Sequence, residues 1–392
     1  MYYRSARPCH VIALDSGTHK GENALRELDE RSIAAMPRIR DFGVIPGQLQ
    51  PGPLNAITDV PGVRVGHTTV NRDVDGVPWR TGVTAIWPHT GNPLLESVYA
   101  ATFLLNGFGE MTSRSIIDEW GLLGFPILLT GTNFVGIVYH WALQYLFEHY
   151  AKAAGMTSLG VMVAECDDSY LDGSQGLAIT RDDVYAALSS AASGPVAEGC
   201  VGGGTGMQLF GFKGGIGTSS RLVQVEGTWY TVGSLVMTNF GVMHELRVDG
   251  VPVGRLLSEE ATDATTEGSC IVVLATDAPL NPRQCERLAK RAALGLARTG
   301  STARDMSGEI IVAFATGNLI RGNAAPEVTV RTLVEGSSAA GTSPLNGLFT
   351  GAIEATEEAV YNALVAAYTT TGVDGHVLHG ISHDRLRAIL QR

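Results

Sequence analysis

Ser269 follows Gly268 directly and leads an unbroken apolar run, Cys270-Ile271-Val272-Val273-Leu274-Ala275. Such a run, rich in β-branched residues, reads as a buried strand with a hydroxyl at its first position. Glycine has no Cβ, so the carbonyl before that hydroxyl can be approached closely. Cutting the Gly268-Ser269 bond would make Ser269 an N-terminus that holds nucleophile and base in one residue. The free α-amine titrates at about 7.7–8.0 and can take the hydroxyl proton. A serine that merely opens a strand is the plain alternative.

Other polar residues stand at the ends of apolar segments. Ser307-Gly308-Glu309 opens a second strand that runs to Ala315. Residues two apart in a strand share a face, so Ser307 and Glu309 can point at one pocket. Asn239 ends an alternating segment, Leu222 to Thr238, that reads as a hairpin turning at Gly227-Thr228. A carboxamide there can donate to a developing oxyanion or simply make a turn. Leu159 to Ala164 reads as a buried strand and leads into Glu165-Cys166-Asp167-Asp168-Ser169-Tyr170-Leu171-Asp172. Sites in α/β folds gather at such strand ends. A substrate pocket and a solvated acidic loop are both open for Glu165 and Tyr170.

Several other chemistries are excluded. The glycine-rich stretches Gly202-Gly203-Gly204-Thr205-Gly206 and Gly214-Gly215-Ile216-Gly217 fit neither the G-x-x-x-x-G-K-[ST] nor the G-x-G-x-x-G template. His140 and His149 are about two and a half helical turns apart, on opposite faces. His376, His379 and His383 match no usual ligand set. His67 invites a catalytic role but reads better as a turn histidine bonded to backbone, and no metal or other cofactor is expected. The net charge of −11, without a basic run, argues against nucleic acid and anionic membranes as partners. Five scattered cysteines, with no C-x-x-C, are no disulfide framework. With no apolar signal core at the N-terminus, a cytoplasmic location is expected.

The elements expected to position these groups follow in order. Glu22 to Met36 can form a polar helix. Residues 52–69 give two short strands about Pro61-Gly62, and Thr81 to Trp87 gives another. Ser97 to Leu105 reads as a helix stopped by Gly107. Thr132 and Asn133 cap a helix from Phe134 to Lys152. Thr180 opens a helix through Ser193. Leu257 to Glu267, polar and acidic, reads as an exposed linker. Asn281-Pro282 starts a helix through Arg298. Leu345 to Thr369 is a long helix with Glu354, Glu357 and Glu358 in one band, and Ser382 caps a last helix.

Gly268-Ser269 followed by Ala275-Thr276-Asp277-Ala278-Pro279-Leu280 resembles the processing site of the L-aminopeptidase/D-amidase-esterase and β-peptidyl aminopeptidase family. These are self-cleaving serine hydrolases of the N-terminal-nucleophile type. Asp59-Val60-Pro61-Gly62-Val63, Gly-Thr-Gly-Met at 204–207, Phe212 to Arg221, Asn239-Phe240-Gly241 and Ser307-Gly308-Glu309 are similar to further family motifs. The resemblance runs from about residue 38 to the end and leaves 1–37 as an N-terminal extension. It implies a four-layer α/β/β/α sandwich, a single domain cleaved into 38–268 and 269–392. It implies Ser269 as nucleophile, Asn239 as oxyanion donor, Ser307 hydrogen-bonded to Ser269, and Glu309 carrying charge at the amine. Glu165 would hold the substrate ammonium, with Tyr170 supporting the oxyanion or the nucleophile. The substrates implied are small peptides, amides or esters with a free amine. The two fragments would be each other's partners in a homo-oligomer. Two alternatives remain at this stage. One is an acyltransferase of ornithine acetyltransferase-like architecture, whose nucleophile is Thr. The other is a binding protein that never cleaves.

Overall fold

The apolar run after Ser269 is a central strand of a six-stranded sheet. The computed structural model describes residues 36–152, 155, 160–257, 268–322, 326–337 and 341–391. The helix expected at Glu22 to Met36, the linker before Gly268 and nearly all of the extension lie outside these residues.

Among the described residues, two main sheets form. One joins β1 (Arg64–Val74), β2 (Val77–Trp87), β5 (Ile127–Gly131) and β6 (Met162–Cys166) in that order. The other is built from β3 (Glu96–Leu104), β4 (Leu122–Leu123), β9 (Ile216–Val225), β10 (Thr228–Asn239), β11 (Gly268–Thr276) and β12 (Ser307–Arg321). Its order is β4-β3-β12-β11-β10-β9. A two-stranded pair, β7 (Gln208–Leu209) and β8 (Phe212–Lys213), lies outside both. β11 and β12 run parallel, whereas β10–β11 and β3–β12 are antiparallel.

Alternation along the strands explains the layers. Ile271, Val273 and Val312 meet Ile86, Leu129 and Met162 between the sheets. Cys270, Val272 and Ile311 face the other way, onto α5 (Pro282–Arg298) and α6 (Leu345–Val365). On the far side of the first sheet, Val83 and Leu128 pack against α2 (Val135–Leu146) and α3 (Arg181–Ser189), while α1 (Arg114–Trp120) and α4 (Val253–Leu256) are short connecting helices. The result is the expected helix-sheet-sheet-helix order. Four consecutive residues of β11, Ile271 to Leu274, are 0% exposed. At about 1.5–3 kcal/mol for each fully buried large aliphatic side chain, this strand is a firm platform for the residue that leads it.

Several elements differ from expectation. Ser97 to Leu105 is strand β3, not a helix. It is buried on both faces, Val98 and Ala100 between the sheets and Ala101 toward the helices, so its sequence lacks the alternation of a one-sided strand. Residues 52–63 hold a 3-10 turn at Ile57–Asp59 in place of a strand. Asp59 fixes it by accepting from the Leu54 and Ala56 amides and from Ser220. Thr132 and Asn133 lie in a 3-10 turn and do not cap α2, which passes into a π-turn over Phe147–Ala151. Thr180 caps α3 with a full capping box, but the helix ends at Ser189. Ser382 stands at the N-cap of α7 (His383–Leu390) without a side-chain bond. His67 lies in β1, its Nδ1 2.9 Å from Thr84 Oγ1, and burial pushes its pKa down to about 4. It is a neutral core residue.

The acidic band of α6 is buried and ion-paired. Arg221, 0% exposed, reaches Glu354 at 3.2 Å and Glu358 at 2.7 Å, and Arg40 reaches Glu358 at 2.6 Å. His376 turns its Nδ1 to the Tyr170 carbonyl and His383 its Nε2 to the Val365 carbonyl. Among the described residues, no helix is long and apolar enough to cross a membrane.

Candidate active site

Asn239 and Ser269 are directly paired across β10 and β11. Antiparallel partners point to the same face, here toward the first sheet, and both side chains are 5% exposed. Asn239 Oδ1 accepts the Gln208 amide at 3.1 Å. A backbone N–H can only be met by the amide oxygen, so Nδ2 is left as the donor on the cavity side. Ser269 and Asn239 line one wall of a cavity of about 530 Å³, whose other walls carry Glu165, Tyr170, Phe108 and Met306.

Ser307 and Glu309 are not on that face. The parallel register sets Ser307 beside Gly268 and Glu309 beside Cys270. Both therefore share the helix-side face with Ile311. Ser307 Oγ donates to Glu309 Oε1, and it makes no hydrogen bond to Ser269. Both line a recess of about 10 Å³, room for a single water-sized group. Gly268 borders this recess and the main cavity alike, so the Gly268-Ser269 peptide is the partition between them. Burial raises the Glu309 pKa above the usual carboxylate value, opposed by Ser307 and by the nearby Asn106. Its buried Oε2 makes no hydrogen bond of good geometry.

Close packing holds the partition. A Cβ on Gly268 would stand 2.4 Å from the Asn239 carbonyl oxygen, and one on Gly308 2.1 Å from the Phe108 carbonyl oxygen. Glycine is required at both positions for the strands and the 106–109 loop to meet.

Glu165, the last residue but one of β6, lies on the opposite wall. It accepts the Glu110 amide on Oε1 at 2.9 Å and the Thr132 hydroxyl on Oε2. Its pKa is raised, first by burial and further by Asp167 and Glu110, against those two hydrogen bonds. The Tyr170 ring stacks on His376, centroids 4.4 Å apart. Cys166 and Gln208 were not singled out from the sequence. The Cys166 thiol lies in hydrogen-bond contact with the Ser269 hydroxyl, and burial keeps it protonated. Gln208 is the residue that orients Asn239. Nothing local marks either one: Cys166 reads as a small core residue, and the Gln208 contact is made by backbone.

The model of peptidase family S58 matches residues 55–378. A β-peptidyl aminopeptidase of Sphingosinicella xenopeptidilytica is 44% identical over 376 residues, covering 91% of this chain and 92% of that one. The solved β-aminopeptidase of Burkholderia sp. superposes with a TM-score of 0.83 at 42% identity, over 91% of this chain and 98% of that one. The L-aminopeptidase D-Ala-esterase/amidase of Ochrobactrum anthropi, described as a new variant among the N-terminal-nucleophile hydrolase fold, gives the same TM-score at 40% identity and the same coverages.

Proposed function

This chain belongs to peptidase family S58, and on that premise we propose a self-processing serine aminopeptidase and amidase with Ser269 as nucleophile. In the uncut chain, Ser269 Oγ attacks the Gly268 carbonyl carbon. The acyl group moves from nitrogen to oxygen, and water hydrolyses the resulting ester. This frees the Gly268 carboxylate and the Ser269 amine.

In the processed enzyme, Ser269 Oγ attacks the carbonyl of an amide, ester or peptide bond whose acyl part bears a free amine. Asn239 Nδ2 donates to the oxyanion, an interaction whose loss typically costs on the order of a hundredfold to a thousandfold in rate. The Ser269 α-amine takes the hydroxyl proton and passes it to the leaving amine. Ser307 and Glu309 hold that amine from behind: the orphan Glu309 Oε2 supplies an acceptor where the severed peptide would open into their recess. Glu165 receives the substrate ammonium, and Tyr170 borders the acyl pocket. Water then releases the acyl group. No cofactor enters this scheme.

The observation that carries the reading is the partition itself. One peptide bond has the nucleophile and an oriented carboxamide on one side, and a hydroxyl-carboxylate pair on the other. Acyl transfer of the ornithine acetyltransferase kind is not favoured, because the matched relatives are aminopeptidases. The reading extends to two fragments, with catalytic parts 38–268 and 269–392, that stay together, assemble as homo-oligomers of the two-fragment unit, and work in the cytoplasm. Intact-mass spectrometry tests it. Two fragments meeting at Gly268-Ser269 are expected from the purified chain and one uncut chain from Ser269→Ala. An uncut parent that hydrolyses amino-blocked and free amides equally would end the proposal.

A further inference from the structure

Every charged side chain among the described residues of the cavity wall is acidic. Among the described residues the lining holds Glu165 and Asp167 and no lysine, arginine or histidine. The two lining carboxylates differ. Glu165 is enclosed, and each of its oxygens already has a donor, Glu110 N and Thr132 Oγ1. Asp167 is exposed toward the cavity, accepts one bond, from the Ser169 amide at 2.9 Å, and pairs with no cation among the described residues. They are two residues apart at a strand end, roughly 6–7 Å along the chain. A single substrate ammonium leaves one of them unanswered.

We propose that Asp167 selects a second positive charge on the acyl part, so that the preferred substrates are amides and short peptides whose N-terminal residue has a cationic side chain of the lysine or ornithine type. This rests on the reading that Ser269 opens amides with a free amine, and narrows it. Phe108 and Met306, both exposed on the cavity wall, give the methylene stem of such a side chain apolar cover while its charged end reaches Asp167. The attraction acts between partly exposed charges, so it is screened by salt.

The test compares lysine and norleucine p-nitroanilides, and their β-homologues, on the purified processed enzyme. Norleucine keeps the chain and removes the charge. The lysyl compound is expected to show a kcat/KM at least about tenfold higher at low ionic strength, through KM, with the ratio shrinking as salt is added. Asp167→Asn keeps an oxygen for the Ser169 amide. It should lower the lysyl value about tenfold further than the norleucyl value, bringing the ratio near one. A wild-type ratio near one, a ratio unmoved by salt, or an equal loss on both substrates in Asp167→Asn overturns the proposal while leaving the hydrolase reading standing. Turnover of neither compound, nor of their β-homologues, overturns both.

Discussion

Ser269 and Ser307 lie on neighbouring parallel strands but on opposite faces of one sheet. The hydroxyls do not meet through space in the uncut chain. What lies between them is the backbone at Gly268-Ser269. In the proposed mechanism, any service that Ser307 and Glu309 render to Ser269 therefore passes through the nitrogen of Ser269, an amide in the whole chain and an amine once the bond is cut. The geometry that looks wrong for a direct hydroxyl relay suits a pair that positions an amine.

Replacing Asn239 by Asp keeps an oxygen for the Gln208 amide and deletes the donor. Turnover of an amino-acid p-nitroanilide should fall by about a hundredfold to a thousandfold in kcat, with a smaller change in KM. A loss confined to KM would remove Asn239 from oxyanion stabilisation.

Glu309→Gln should move the acid limb of the kcat/KM profile to lower pH, because the Ser269 ammonium loses the carboxylate that favours its charged form. Burial holds this carboxyl above its ordinary pKa, so it gives that support only above the usual glutamate range. An unchanged limb in the variant would assign it to another group. The same comparison made on kcat separates free enzyme from complex.

Glu165→Gln should trade activity for stability at alkaline pH. The Glu165 pKa is raised in the folded chain, so its favourable contribution is complete only below the unfolded value and disappears as pH rises through the folded one. At pH 8 the charged form is a burden that glutamine lacks. The variant is expected to melt higher than the parent at pH 8, with that difference lost in acid, while KM for free-amine substrates rises. Melting scans at several pH values decide it; a variant that melts lower at pH 8 contradicts the assignment.

Gly268→Ala places a methyl group against the Asn239 carbonyl oxygen, 2.4 Å from the ideal Cβ position. Uncut chain should accumulate although Ser269 is untouched. Gel densitometry over time reads the rate, and processing at the parental rate would show that the contact relaxes freely.

Arg221→Ala leaves Glu354 buried without a guanidinium and leaves Glu358 with Arg40 alone. Breaking a buried pair from one side costs about 3–5 kcal/mol. The melting temperature should drop well below that of the parent. Size-exclusion chromatography in dilute urea should then show separate fragments at a concentration that leaves the parental pair joined.

The site was legible where chemistry and strand ends coincide. Ser269, Asn239 and the Ser307–Glu309 pair each stand at the end of an apolar run, and the family motifs set them in one fold. Their faces were less legible. Whether Ser307 points toward Ser269 or away depends on the parallel register of β11 and β12, which no local pattern encodes. β3 was misread for a related reason: a strand buried on both sides offers a continuous apolar run that periodicity cannot tell from a buried helix. The Gln208 amide on Asn239 and the Thr132 hydroxyl on Glu165 are contacts between distant segments, and Thr132 looked like a helix cap from its neighbours alone.

The six-stranded sheet has one more consequence. Its middle pair, β12 and β11, comes from the part after Ser269, and it is wedged between β3 and β10 from the part before. Neither stretch by itself holds a finished sheet, and the Gly268-Ser269 bond is aligned only once all four strands are zipped together. For the proposed cleavage, chronology is thereby written into topology: the polypeptide assembles as one thread before it is snipped, and the strand order then keeps its halves interlocked like the tines of two combs.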